Sequence, residues 1–275
     1  MNLITQLNIT IPQRLPNAHK GDHGSVAVIG GADGMLGAVV LASRAALLAG
    51  AGRVYACFLS SSAPRFDSNY PEIMMRSPTA LTSLTQLDCV VIGPGLAQSD
   101  EAQNILSFWL KRSTPLVLDA DALNLIATNS MLSDLLLERK DFAVITPHAG
   151  EAARLLQTTS DHIQANRIDS CLALASNYHL VCVLKGEGTL VAYNDKYATN
   201  SSGNVGLASG GTGDVLSGVI ASLIAQGLNP FEAAKTGVFV HGAAADILVA
   251  SGQGPLGLTA GEIAIEIRNR LNAST

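Results

Sequence analysis

Charge and aromatic side chains are both scarce in this chain. Of its 275 residues, 14% are charged and 4% aromatic, against 48% hydrophobic. A sequence so poor in charge and so rich in apolar side chains can bury a large core, which excludes intrinsic disorder. Basic residues are the scarcer charge, 17 against 22 acidic, for a net charge of −5. That balance argues against nucleic acid or an anionic membrane as a partner, since both need a basic face. It leaves room for a small anionic ligand held by local groups. Cysteine is sparse too. Cys57, Cys89, Cys171 and Cys182 form no C-x-x-C pair, and three lie in apolar runs. They read as reduced, buried thiols of a cytosolic protein. The opening MNLITQLNIT lacks the basic and apolar regions of a signal peptide. The most apolar segments, such as 215–228, are broken by Ser, Gly and Gln and fall short of the roughly 20 residues that span a bilayer. A cytoplasmic protein is expected.

What is present is an alternation. Short β-branched runs at Ser25–Ile29, Arg53–Leu59, Cys89–Ile92, Leu116–Leu118, Ala143–Ile145 and Leu180–Leu184 predict strands. Alanine- and leucine-rich stretches at Leu36–Ala49, Asp100–Lys111, Asp134–Arg139, Gly150–Leu156 and Asp161–Asn177 predict helices between them. Continuous apolar strands separated by helices imply a parallel sheet covered on both faces. After Gly188 the rhythm changes. GTLVAYNDKYATN predicts a hairpin turning at Asn194-Asp195, and so an antiparallel far edge. Three helices follow, Val215–Gln226, Pro230–Ala250 and Thr259–Leu271. No repeat or linker divides the chain, and 1–275 reads as a single domain.

Ligands of open parallel sheets bind beyond the carboxyl ends of the strands. Those ends here read GGADG (30–34), GPG (93–95), DADALN (119–124), TPHAGE (146–151) and KGEGT (185–189). Glycine and polar groups recur along one edge, which predicts a shared ligand cleft. Gly31, Gly34 and Gly37 have neither the spacing of a dinucleotide fingerprint nor the Gly-Lys-Ser/Thr of a P-loop. Their segment is either a tight turn or a ligand-lining loop. Gly95 is a turn glycine, or it lets a flat ligand approach the backbone. His148 could cap the next helix or hydrogen-bond a substrate amide or phosphate. Glu151 could favour the helix dipole or help hold a hydrated metal. Lys185, among glycines, marks a hairpin turn or meets a phosphate. The densest signal is ASGGTGDVLSG (208–218). Gly210, Gly211 and Gly213 leave backbone N–H groups free to converge where a helix begins, a site suited to a transferring phosphoryl group. Asp214, set against it, is either a helix cap or the base that activates an attacking hydroxyl.

The GGTGD segment (210–214) resembles the anion hole and catalytic Asp of the ribokinase-like superfamily. HKGDHGSVAVIGG (19–31), AGAG (49–52), IGPGL (92–96), LDADALN (118–124), TPHAGE, VLKGEGT (183–189) and ASGGTGDVLSGVIASLIAQG (208–227) occur in that order. Together they resemble the ADP/ATP-dependent NAD(P)H-hydrate dehydratases over nearly the whole chain. The resemblance implies an α/β fold, a ribokinase-like three-layer α/β/α sandwich with a mostly parallel central sheet and an antiparallel edge hairpin. It implies a hydro-lyase that restores NADH or NADPH from the S-epimer of the hydrate while ADP becomes AMP and phosphate. Asp214 would be the base. Gly211, Thr212 and Gly213 would cradle the phosphate, and Lys185, Gly186, Glu187, Gly188 and Thr189 would bind the nucleotide. Ala38, Gly95 and His148, with Asp214, would line the hydrate. Mg²⁺ would accompany the nucleotide, with no protein ligands assigned, and ADP is favoured over ATP. The family suggests a homotetramer. It also suggests work alongside a separate NAD(P)H-hydrate epimerase, because only a short stretch precedes Ser25 where many relatives carry that domain. Ala149 stands where the family usually has a second proline, which loosens the loop slightly and leaves His148 in place. The alternative is a small-molecule kinase of the same superfamily, acting on a vitamin precursor such as hydroxyethylthiazole.

Overall fold

In the computed structural model, which describes residues 3–273, the β-branched runs form the middle of one ten-stranded sheet. Its strands are β1 (Leu3–Ile4), β2 (Ser25–Gly30), β3 (Arg53–Phe58), β4 (Met74–Arg76), β5 (Cys89–Ile92), β6 (Leu116–Leu118), β7 (Ala143–Ile145), β8 (Val181–Leu184), β9 (Leu190–Tyr193) and β10 (Lys196–Asn200). The helices are α1 (Leu36–Leu48), α2 (Pro78–Thr82), α3 (Asp100–Leu110), α4 (Asp121–Thr128), α5 (Ser130–Leu137), α6 (Ala149–Leu155), α7 (Ser160–Ala165), α8 (Arg167–Tyr178), α9 (Thr212–Ala225), α10 (Pro230–Ala250) and α11 (Ala260–Asn272).

Across the sheet the order is β1-β10-β9-β8-β7-β6-β5-β2-β3-β4. All neighbours are parallel except β8–β9 and β9–β10. Every residue of β2, β5, β6, β7 and β8 is buried. These strands lack polar alternation because helices cover both faces. Around Val26, Val28 and Val91, one face packs on α1, α9, α10 and α11. Ala27, Ile29 and Val90 face α3, α4, α5, α6 and α8. The three-layer α/β/α sandwich is thus the one expected. All four cysteines are free and buried.

The predicted hairpin forms as β9–β10 and supplies the antiparallel edge pair, with the two-residue β1 added in parallel outside it. Several other expectations need correction. Helix α4 was missed, because DADALN read only as a strand end. The helix placed at Asp134–Arg139 begins earlier, at Ser130, where the Asn129 side chain accepts from the Leu132 N–H at 3.4 Å. The span Asp161–Asn177 is two helices. Asn166 leaves helical geometry between them (φ −131°, ψ 47°), and its side-chain amide donates to the His162 carbonyl at 3.0 Å. The short β4 and α2 were not foreseen. Helix α10 has the length and apolarity to cross a bilayer, which the sequence reading denied to any segment, but most of it is buried within the fold.

Two features set the position of the site. The strand order reverses at β2, which lies between β5 and β3, and a crevice forms at such a switch point. The Gly31 N–H donates to the Pro94 carbonyl (3.0 Å) and the Ala32 N–H to the Gly95 carbonyl (2.7 Å), joining the loops after β2 and β5. Helices α1 and α9 run side by side in the same direction. Leu41 lies beside Gly211, and the Gln226 amide reaches the Ala49 carbonyl at 3.0 Å. Both helices therefore open at the carboxyl edge of the sheet.

Candidate active site

Helix α9 begins without a side-chain cap. Its N-cap is Gly211, in the left-handed region at φ +88°. A Cβ there would fall 2.4 Å from Leu41 Cδ1, so the turn requires glycine. The first-turn N–H groups have no intrahelical partner and form the positive end of a 14-residue helix. Asp214 sits inside that first turn rather than at the cap, which removes the helix-cap reading. Burial, then the neighbouring Asp119 carboxylate, push its carboxyl up to about 7, while Lys185 opposes them. A carboxylate near half-protonation at neutral pH is suited to accept a hydroxyl proton.

Behind Asp214 lies a buried polar cluster. Lys185 Nζ donates to Asp119 Oδ1 at 2.7 Å, and Ser217 Oγ to Asp119 Oδ2 at 2.6 Å. The Ala120 N–H adds a third bond, at 2.9 Å. Asp119 thereby ties the end of β6 to the end of β8 and to α9. Burial would lower the pKa of the Lys185 ammonium, but Asp119 and Glu151 outweigh it and hold the group charged. A Cβ on Gly213 would stand 3.3 Å from Lys185 Nζ, so the lysine lies against the first turn of α9.

His148 is the N-cap of α6. Its Nδ1 accepts from the N–H groups of Gly150 (2.9 Å) and Glu151 (3.4 Å), and Glu151 Oε2 accepts from the His148 N–H at 2.7 Å. The capping role is therefore real. It also assigns the tautomer: with Nδ1 accepting, Nε2 carries the hydrogen and lies 3.3 Å from Glu151 Oε1. Burial and Lys185 lower the ring's pKa, so it stays a neutral donor. Glu151 is buried and its carboxyl is raised by that burial, against the pull of Lys185 at 3.9 Å.

A cavity of about 530 Å³ opens between the β8–β9 turn, α9 and α10, a size suited to a nucleotide. Lys185, Gly186, Glu187, Gly188, Thr189, Thr212 and Gly213 all line it, as do Asn200, Ser202, Asn204 and His241. Gly211 is not on this wall and packs on Leu41 and Ala260 instead. Ala38 and Gly95 lie together outside the cavity. Gly95 has φ +57°, and a Cβ on it would fall 3.4 Å from Ala38 Cβ and 2.7 Å from the Met35 carbonyl oxygen. The Ala97 N–H donates to Asp121 Oδ2 at 2.8 Å, and Asp121 also acts on Asp214. Asp214 is not itself on the cavity wall; Thr212 and Gly213 of the same helical turn are.

Asp119, Ser217 and His241 were not picked out from the sequence. Asp119 was within reach, as an acid directly at a strand end. His241 stands in an apolar helix with no motif around it. Among the described residues, no group of three or more His, Cys, Asp or Glu side chains could hold a metal. That suits Mg²⁺ carried mainly on phosphates, which takes only one or two carboxylates from the protein.

A family model described as NAD(P)H-hydrate dehydratase matches residues 26–268. The chain is 42% identical over 268 residues to the ADP-dependent (S)-NAD(P)H-hydrate dehydratase of Neisseria meningitidis, covering 95% of this chain and 90% of that one. It is 43% identical over 249 residues to a bifunctional NAD(P)H-hydrate repair enzyme of Escherichia coli, covering 89% of this chain but 47% of that one. The chain thus spans about half the length of that bifunctional relative. The ADP/ATP-dependent NAD(P)H-hydrate dehydratase of Bacillus subtilis, co-crystallized with ATP/Mg²⁺, superimposes with a TM-score of 0.83 at 27% identity, over 99% of this chain and 98% of that one.

Proposed function

The chain belongs to the NAD(P)H-hydrate dehydratase family, and from that premise we propose how its site works. It is a hydro-lyase that returns the S-epimer of NAD(P)H hydrate to NAD(P)H at the expense of a nucleotide. Hydroxide leaves poorly and phosphate leaves well, which explains the need for a nucleotide. Asp214 takes the proton of the C6 hydroxyl. The hydroxyl oxygen then bonds to the terminal phosphorus of ADP, and the bond to the AMP oxygen breaks. The N–H groups at the start of α9 and the Lys185 ammonium hold the moving phosphoryl charge. Phosphate departs with the C6–O bonding pair as a C5 proton is lost, and the ring double bond re-forms.

Lys185, Gly186, Glu187, Gly188 and Thr189 hold the nucleotide, with Gly211, Thr212 and Gly213 as the phosphate cradle. Gly211 serves from outside the cavity wall by setting the turn. Ala38, Gly95 and the Nε2–H of His148 meet the hydrate. Glu151 would meet the hydration shell of Mg²⁺ bound with the nucleotide, and the ion would supply charge neutralisation. We further propose ADP as the preferred nucleotide, a single domain across 1–275, a cytoplasmic homotetramer, and work alongside a separate epimerase that supplies the S-epimer. The kinase alternative rests on the shared fold alone.

The observation that carries this reading is Asp214, with its raised carboxyl pKa, in the first turn of α9 beside the Lys185–Asp119 pair, a turn whose Thr212 and Gly213 line the nucleotide-sized cavity. Incubating the protein with hydrated NADH, Mg²⁺ and either ADP or ATP should restore the absorbance of NADH. No recovery with either nucleotide would remove the reading.

A further inference from the structure

His241 lies outside every motif. It is buried on α10 and forms part of the wall of the nucleotide-sized cavity. Its Nε2 stands 3.0 Å from the Thr212 carbonyl oxygen. A carbonyl can only accept, so Nε2 carries the hydrogen. Burial pushes the ring's pKa down to about 4 despite that bond, and Lys185 adds to the effect. The ring is therefore neutral at physiological pH.

Thr212 is the first residue of α9, and its Oγ1 donates to the carbonyls of Leu207 (2.9 Å) and Ser209 (3.0 Å). Next to His241, Gly242 has no room for a side chain. A Cβ there would fall 2.4 Å from Ser202 Oγ and 2.7 Å from the Ser202 carbonyl oxygen. This turn of α10 is therefore pressed onto the cavity wall and offers a rigid base for His241. The need for such a base follows from the start of α9. That helix has no side-chain cap bond, and glycines occupy positions 210, 211 and 213. A glycine-rich turn has wide conformational freedom, so its geometry must be held from outside.

We propose that His241 is a positioning residue for the nucleotide: through the Thr212 carbonyl it fixes the first turn of α9 and the 207–211 loop, and with them the N–H groups that face the phosphates. This rests on the reading of the cavity as the nucleotide site. Small misplacements at a reacting centre are costly, with about 1 Å worth roughly 100-fold.

Two substitutions separate this role from mere packing. His241→Gln places an amide nitrogen near the position of Nε2 and keeps the donor. His241→Asn places its amide near Nδ1, short of Thr212. Binding of Mg²⁺-ADP and Mg²⁺-ATP is measured by calorimetry, with folding checked by circular dichroism. The Gln variant should stay within about 3-fold of the wild type, and the Asn variant should weaken by about 10-fold or more. Equal affinities in all three proteins, or equal weakening in both variants, overturn the proposal. Wild-type protein that binds neither nucleotide removes the nucleotide reading and this inference with it. Binding without a Gln/Asn difference removes this inference alone. Should the Asn variant not fold, nitrogen-15 histidine spectra of the unmodified protein decide. A neutral Nε2–H tautomer at pH 6 is expected, and an Nδ1–H tautomer or a protonated ring overturns the proposal.

Discussion

Asp214 shows how much a side chain's surroundings decide its chemistry. An exposed aspartate is fully ionised at neutral pH and a weak base. Burial and Asp119 raise this one to about 7, where it still ionises and holds a proton more tightly. Asp214→Asn should lower turnover by about 100-fold or more while leaving nucleotide affinity largely intact. A loss of affinity equal to the loss of turnover would count against the base role. The base must be ionised, so kcat/KM should fall as pH drops below about 7, approaching tenfold per unit, and level off above it. The acid limb of that profile measures this directly. Lys185 stood out in the sequence by its place directly after a strand, and Asp214 by the glycines around it at the start of a helix. Asp119 and Ser217 were not singled out. Their importance comes from meeting across 98 positions of sequence, and spacing along the chain carries no trace of that.

At the scale of elements, the site depends on how closely α1 and α9 lie. Gly218 is the point of contact, where a Cβ would fall 2.1 Å from the Ala42 carbonyl oxygen. Backbone on both sides leaves no flexible group to give way. Gly218→Ala should therefore push α9 off α1 and cost about 1–3 kcal/mol, read as a lower melting temperature. Because the same helix begins at the glycine turn proposed as the phosphate cradle, nucleotide affinity should fall too. An unchanged melting temperature would contradict the contact. The main helices and the interior strands were legible from periodicity and from runs of apolar residues. The errors share a cause. The division at Asn166 and the start of α5 at Asn129 are decided by one side chain bonding to nearby backbone, an effect smaller than the apolar pattern around it. Strand β1 is two residues long and exists because β10 offers it an edge, which no local pattern records.

For the whole molecule, Asp214 and His241 should shape stability against pH in opposite directions. Asp214 has a folded pKa raised from 3.8 to about 7. Between those values the folded state holds a proton that the unfolded chain has released. Stability is therefore lost as pH rises through this window, and the full cost is present above 7. Its partial exposure discounts the full shift to about 1–3 kcal/mol. His241 has a folded pKa lowered from 6.5 to about 4. Here the unfolded chain takes up the proton first, so stability is lost as pH falls from 6.5 toward 4, by up to about 3 kcal/mol. The two variants should therefore diverge from the wild type on opposite sides of neutrality. Asp214→Asn should gain stability relative to the wild type at pH 8 and lose that gain by pH 4. His241→Gln should show a shallower fall than the wild type between pH 6.5 and 4. Urea unfolding across pH 4–8 measures both differences. Parallel curves for the wild type and Asp214→Asn would mean that the carboxylate is not held against its charge. Parallel curves for the wild type and His241→Gln would mean that the imidazole is free to take a proton where it lies. On the roles proposed for them, keeping both groups costs stability at each end of this range, because Asp214 is to accept a proton and His241 is to stay without one.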